Sequence, residues 1–427
     1  MEHNVLIVTY YWPPSGGPGV QRYLKFAKYL PRFGVRPFVL TVDNPTYPIR
    51  DQSLVREIPD GITVYKSKTI EPFGIYAGLS GDRAESVKPT IELQANSFRS
   101  ALGSWIRANI FIPDARAGWL LTAKRKSEEI IRAHGISTVI TTGPPHSVHF
   151  IGRHLQQKQQ VRWLADFRDP WSRVYYNQLL PRTRMAEQVD EKLEKTVLKQ
   201  ADEVIVVSRP QAENFRKISE RGYRVITNGF DPDDFQSIAA GPSLSPELMI
   251  RHIGNIGEAA VPDAFLKAVA EVSPAIKLNV EFIGHVHPRL HTVLNELGLE
   301  KSVSVKDYLP HRKALEKMCG ADLLLLCIPD TKHMQHHIPG KFFEYLGSGR
   351  PVLVLGPEDG ESARILREQE AGYTAEFNDI GKIKTALETF SKQAGRTISK
   401  ARMENHPYSR IELTKKLSQL ILEDPLI

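Results

Sequence analysis

Two short strings carry residue types whose spacing could hold a phosphorylated ligand. The first is Ile338-Pro-Gly-Lys-Phe-Phe-Glu344, followed by Gly347-Ser-Gly-Arg-Pro351 and an apolar run. Pro339 suits a first helical position. Lys341 then falls in the first turn, where its ammonium and the helix N-terminus can jointly meet a diphosphate. Glu344 lies three residues on, on the same face one turn deeper. A carboxylate there can accept from both hydroxyls of a ribose while the lysine takes the phosphates of the same nucleotide. The spacing equally suits an ordinary surface Lys–Glu pair. The second string, Ser15-Gly-Gly-Pro-Gly19, lies between a strand and a helix. Gly16, Gly17 and Gly19 would let the backbone approach a ligand at a helix N-terminus, or simply make a tight turn. The string is not a GxGxxG, so a dinucleotide fingerprint is unsupported.

A third candidate is Ala165-Asp-Phe-Arg-Asp-Pro-Trp171, at the end of a strand, where open α/β sheets place ligands. Two carboxylates flank Arg168, which suggests that one fixes the arginine while the other faces a ligand. Asp169 precedes Pro170, which favours extended backbone and projects the side chain off the strand end. Asp169 is therefore expected to contact acceptor or sugar hydroxyls, and Asp166 to be structural. His146, in Pro144-Pro-His-Ser147, could orient an acceptor hydroxyl or a sugar oxygen. A salt-bridged loop and a structural histidine fit these strings as well.

The elements that must position these residues alternate. Short β-branched runs at 5–9, 37–42, 62–65, 138–142, 162–165 and 203–207 are interleaved with helical patterns near 20–30, 118–133 and 184–200. Residues 70–112 show weak periodicity and read as loops and short helices. The pattern breaks into Asp, Pro, Ser and Gly over 231–246, then restarts with strands at 249–253, 278–283, 303–305, 322–327 and 351–355. Runs of four to six apolar residues, each followed by a helix, are the signature of parallel strands covered on both faces. The chain therefore reads as α/β, with two doubly wound, Rossmann-like domains at 1–230 and 247–407 and a linker at 231–246. Ser409 and Glu412 have capping-box spacing, and Leu413, Leu417, Leu420 and Ile421 form an apolar stripe. Residues 408–427 thus read as a packed helix that could cross back to the first domain.

The 427 residues carry a formal net charge of +7, with an isoelectric point near 9.1. That balance suits anionic partners such as phosphorylated substrates or the inner face of a membrane, or serves solubility alone. No block of like charge resembles a nucleic-acid arm. Cys319 and Cys327 read as buried thiols in a reducing compartment. No run reaches the roughly 18 apolar residues of a membrane span, and the N-terminal apolar run reads as a strand, not a signal peptide. A cytoplasmic enzyme, peripheral at the inner membrane face, is expected.

Proline, lysine, then glutamate before a small-residue loop and a buried strand resembles the donor motif of glycosyltransferases with the GT-B architecture, two facing Rossmann-like domains with a cleft between them. More narrowly, the chain is similar to the large retaining family 4. Asn4-Val-Leu-Ile-Val with Pro13-Pro-Ser-Gly-Gly resembles that family's opening. Ala201-Asp-Glu-Val-Ile-Val-Val-Ser208 and Thr227-Asn-Gly-Phe-Asp231 resemble its inter-domain segment, and Tyr308-Leu-Pro-His311 its base-facing loop. A related subgroup shares the Asp-Phe-Arg-Asp-Pro-Trp string.

The resemblance implies a nucleoside-diphosphate sugar held by Lys341, Glu344, Pro339, Gly254, Asn255 and Leu309. Arg251 would replace the family's missing Arg-plus-Lys pair if it points into the cleft. The resemblance also implies a saccharide or lipid-linked acceptor, retention of configuration, and no metal or cofactor. His336 stands where the family often has a first glutamate. That departure keeps two rivals open, a nucleotide-sugar epimerase on the same fold and a non-catalytic sugar-nucleotide binder.

Overall fold

The fold is that of a computed structural model. It describes the chain apart from residues 1, 44, 46, 48–49, 70–104, 107, 173, 175–179, 237, 239–246, 330–337, 393–402 and 424–427. The chain divides into two compact units, one of residues 1–227 with 413–427, the other of 228–412.

The first unit is built on a seven-stranded parallel sheet. Its strands are β1 (His3–Thr9), β2 (Val35–Val42), β3 (Thr63–Ser67), β4 (Thr138–Gly143), β5 (Arg162–Phe167), β6 (Glu203–Val206) and β7 (Arg224–Val225). They run in the order β3-β2-β1-β4-β5-β6-β7. Both faces are covered, which is why the central strands read as unbroken apolar runs: Val5 and Ile7 point into one core, Leu6 and Val8 into the other. Strand order reverses between β1 and β4, and ligands of open parallel sheets bind at such a switch point. The loops after β1 and β4, with that after the neighbouring β5, carry the glycine string, the Pro-Pro-His-Ser string and the Arg-Asp-Pro-Trp string.

The second unit repeats the plan with β8 (Leu248–Ile253), β9 (Leu278–Ile283), β10 (Val303–Lys306), β11 (Leu323–Cys327), β12 (Val352–Leu355) and β13 (Gly372–Ala375). Their order is β10-β9-β8-β11-β12-β13, again all parallel, with the reversal between β8 and β11. Together the two units make a two-domain, Rossmann-like α/β architecture.

The expected linker needs adjusting. Residues 231–236 are not linker: Asp233–Gln236 is a helical turn, and Phe235 is buried with Phe230, Leu346 and Tyr345 in the second unit's core. Residues 239–246, and 70–104 of the irregular stretch, lie outside the described residues. The last helix is Arg410–Leu422. Ser409 Oγ accepts from the Glu412 N–H (3.1 Å), and Leu413, Leu417, Leu420 and Ile421 pack with Val5, Ile7 and Leu24 of the first unit. No helix among the described residues is long and apolar enough to cross a membrane.

Candidate active site

In the second unit, Pro339 is the N-cap of the helix Gly340–Gly347, one position earlier than the sequence suggests, and Lys341 is its second residue. The lysine does not pair with Glu344. Its Nζ lies 3.0 Å from His252 Nε2 at the end of β8. Burial pushes the lysine down to about 8, partly offset by Cys327 and Glu344. Gly254 follows β8 with φ at +128°, and a Cβ there would come within 2.8 Å of the Lys341 ammonium. The positive φ favours glycine here, and the missing side chain leaves room for the ammonium. Asn255 is exposed, its Oδ1 accepting from the His285 N–H at 3.4 Å.

Glu344 is half-buried one turn deeper, and its Oε1 meets His311 Nε2 at 2.9 Å. His311 opens the helix His311–Cys319 after the Tyr308–Pro310 loop. There Leu309 packs on the core, while Tyr308 is exposed and stacks with His285 at 6.5 Å. A surface Lys–Glu pair is thus not what forms; each charge has a histidine instead. Glu344→Ala is expected to weaken nucleoside-diphosphate binding by roughly 2–3 kcal/mol, the scale of charged hydrogen bonds. Calorimetry with the free nucleotide measures it, and unchanged affinity in a folded variant would remove Glu344 from the site.

Arg251 is corrected. It is buried in β8, its Nε donating to Glu281 Oε2 (2.5 Å) and its Nη1 to the Lys317 carbonyl (3.0 Å). A guanidinium already spent on a carboxylate in the adjacent strand does not serve as the phosphate grip. His336 lies outside the described residues.

In the first unit, the three strings form one cluster. Gly17, at φ +100°, caps the helix Pro18–Tyr29, with half-buried Gly16 before it. A Cβ on Gly19 would fall 1.9 Å from Arg168 Nη1, so this glycine makes room for the guanidinium. Arg168 Nε donates to the Gly143 carbonyl (3.1 Å) and Nη2 to the Pro144 carbonyl. Asp166 makes its ion pair with a different arginine. Asp166 is fully buried and pairs with Arg22 at 2.8 Å, accepting also from Thr142 Oγ1. It is structural, but through Arg22. Asp169 is half-buried, its charge favouring the Arg168 cation.

His146 is also corrected. It is buried, stacked on Trp171 (centroids 4.9 Å apart, planes 5° apart), and pushed down to about 3, by burial first and by Arg168 second. An imidazole that weakly basic is a poor proton acceptor at neutral pH. Its ring also packs as a wall of the loop. Asp114 fixes the same turn, accepting from the Ser147 N–H and Oγ, each at 2.8 Å.

The Arg-Asp-Pro-Trp loop is tied to the helix Arg184–Gln200. Trp171 Nε1 donates to Asp190 Oδ1 (2.7 Å), Arg182 pairs with Asp190 (2.8 Å), and Ser172 Oγ donates to Glu194. Burial pushes Glu194 up to about 7, against the hydrogen bonds from Ser172. A carboxyl raised in the folded state favours folding fully below its ordinary value of 4.5, and that contribution is lost as pH rises through about 7. Glu194→Gln is therefore expected to raise stability at pH 8 by on the order of 2 kcal/mol, with the gain shrinking away at acid pH. Thermal unfolding of both proteins across pH measures the difference.

Residues 18–234, more than half of the chain, match the family described as Glycosyltransferase Family 4. The chain belongs to that family. A comparison with curated proteins finds no sequence match. Among solved structures, the glycosyltransferase resembles one from Rickettsia africae (TM-score 0.63, 14% identity, 99% of each chain covered). It also resembles HepE of Anabaena in complex with UDP (0.61, 14%, 99% of each chain). A third is TarM of S. aureus, a mutant in complex with fondaparinux, α-GlcNAc-glycerol and UDP (0.57, 12%, 99% of this chain and all of that one). At these identities the likeness is one of fold, and it agrees with the two doubly wound sheets of this glycosyltransferase. Among its described residues, no group of three or more His, Cys, Asp or Glu is placed to hold a metal ion.

Two histidines that matter to the geometry, His252 and His311, have no role assigned by the sequence alone. His311 ends the Tyr308–His311 string and His252 stands between Arg251 and Gly254, so position was the available signal.

Proposed function

We propose that this glycosyltransferase moves a glycosyl unit from a nucleoside-diphosphate sugar to an acceptor hydroxyl, with retention of configuration, in the synthesis of a surface polysaccharide or glycolipid. The observation that carries the reading is the Lys341 ammonium, held over Gly254 at the switch point of the second sheet, with Glu344 on the same helix. In the reaction the bond between the anomeric carbon and the diphosphate oxygen breaks, a bond to the acceptor oxygen forms, and the acceptor hydroxyl loses its proton. Negative charge grows on the departing diphosphate. Lys341 and the free N–H groups at the start of its helix stabilise that charge without having to reorganise. That HepE and TarM were each found with UDP supports a nucleoside diphosphate as the donor's leaving group. The positive balance of the chain supports work beside an anionic, cytoplasmic membrane face.

Asp169 is the group proposed to meet acceptor or sugar hydroxyls. Asp169→Asn should leave nucleotide affinity nearly intact and lower turnover on the order of 10²-fold, typical of losing a positioned polar group. Steady-state kinetics beside calorimetry would separate the two effects, and parallel losses of binding and turnover would withdraw the assignment. A thermal-shift panel of nucleotide sugars tests the donor reading itself, because a ligand that binds only the folded protein raises its apparent stability. One base class should stand out; a panel without any shift would contradict it.

A further inference from the structure

Lys341 is the cation of the proposed donor site, and what holds it is an imidazole. His252 is the fifth residue of β8 and 1% exposed. Its Nδ1 lies 3.0 Å from the Leu325 carbonyl in β11. A carbonyl oxygen can only accept, so Nδ1 carries the proton. Burial together with the neighbouring Lys341 charge pushes this histidine well below its ordinary value. The ring is therefore neutral, and its other nitrogen has a lone pair and no proton. That nitrogen, Nε2, lies 3.0 Å from Lys341 Nζ, an ammonium that can only donate. The sequence Leu325 carbonyl, imidazole, ammonium has one self-consistent proton assignment. It ends with the lysine pinned beside Gly254 and two N–H bonds left to give.

We infer that His252 is the positioning residue for the donor diphosphate: its Nε2 accepts from Lys341 and aims the remaining ammonium protons over Gly254. The inference rests on the donor reading above. The physical gain is preorganisation. A lysine side chain has four rotatable bonds, and fixing its head before the ligand arrives removes an ordering cost from binding. The acceptor must also be neutral. A carboxylate at the same place would pair with the ammonium and compete with the phosphates, whereas an imidazole orients the charge without cancelling it.

The test compares three replacements of His252 using whichever of UDP, GDP and ADP gives the largest thermal shift, together with its parent nucleoside. Gln can place an acceptor near the position of Nε2. Asn can keep the bond to Leu325 but does not reach Lys341. Phe keeps the ring and loses both bonds. His252→Phe and His252→Asn are expected to weaken diphosphate affinity about tenfold, the effect of one charged hydrogen bond, with nucleoside affinity unchanged. His252→Gln should recover most of the loss. In the unaltered protein, ¹⁵N resonances of labelled histidine should show His252 protonated on Nδ1 alone, a readout that needs no variant to fold. Equal losses for diphosphate and nucleoside, a Gln variant no better than Phe, or a ring protonated on Nε2 would each overturn the inference. Lys341→Ala separates the two levels. If it leaves diphosphate affinity unchanged, the donor reading itself falls. If it weakens binding while His252→Phe does not, only the role of His252 falls.

Discussion

Replacing Lys341 with alanine is expected to lower turnover about 10²–10³-fold, the range seen when one preorganised donor to a developing anion is removed. The lysine is half-buried, close to a glycine that leaves it room, and held by a neutral imidazole. Arg251, the arginine in β8, does not replace its charge, being committed to Glu281. Its lowered pKa adds a signature in pH. The phosphates bind the ammonium form, and in the free protein that form is lost as pH rises through about 8. Diphosphate affinity should therefore be flat below that value and fall by about tenfold per pH unit well above it, and Lys341→Ala should abolish the slope. Affinity that stayed level to pH 10 in the unaltered protein would exclude Lys341 from contact with the phosphates.

Asp166→Ala should cost the first unit about 3–5 kcal/mol, the scale for stranding one partner of a buried ion pair. Asp166 and Arg22 are both essentially without solvent exposure. Arg22 also donates to the carbonyls of Ile226 and Thr227, at 2.8 and 2.7 Å, so the guanidinium cannot swing out to water when the carboxylate is removed. The pair fastens the helix after the glycine string to β5 and to the last residues before the second unit. All five tryptophans, Trp12, Trp105, Trp119, Trp163 and Trp171, lie in the first unit. Denaturation followed by their fluorescence thus reports this unit alone. A midpoint within about 1 kcal/mol of the unaltered protein would contradict the account. The double replacement of Arg22 and Asp166 by Met and Leu should recover much of the loss, because an apolar pair leaves no stranded charge.

What could be read from the sequence was whatever repeats locally. Leu323–Cys327 is a buried parallel strand because it is apolar at every position, and the Ser409–Glu412 spacing is a helix cap. Partnerships were not legible, because they join residues far apart in the chain: Arg22 to Asp166, His252 to Lys341 and His311 to Glu344. Arg251 shows the limit. Its type fits a phosphate site, yet β8 and β9 align from their first residues and set Arg251 opposite Glu281, so the neighbouring strand takes its charge. The register carried that information, and composition did not. The edge strand Gly372–Ala375 went unread because Gly-Tyr-Thr-Ala lacks the apolar run that marks the buried strands. His146 was open to a structural as well as a ligand-orienting reading for a related reason, since its stacking on Trp171 is not visible in the string around it.

The most direct test of the central claim is to incubate the protein with a panel of nucleotide sugars, with and without saccharide and lipid-linked acceptors, and to follow both substrates by mass spectrometry. The account predicts that one acceptor gains the mass of a single glycosyl residue, that nucleoside diphosphate appears in equal amount, and that neither happens when the acceptor is left out. Conversion of a donor into its isomer with no acceptor present would contradict it in favour of an epimerase. A donor that stabilises the protein yet is never consumed, whatever acceptor is supplied, would contradict it in favour of a binding protein.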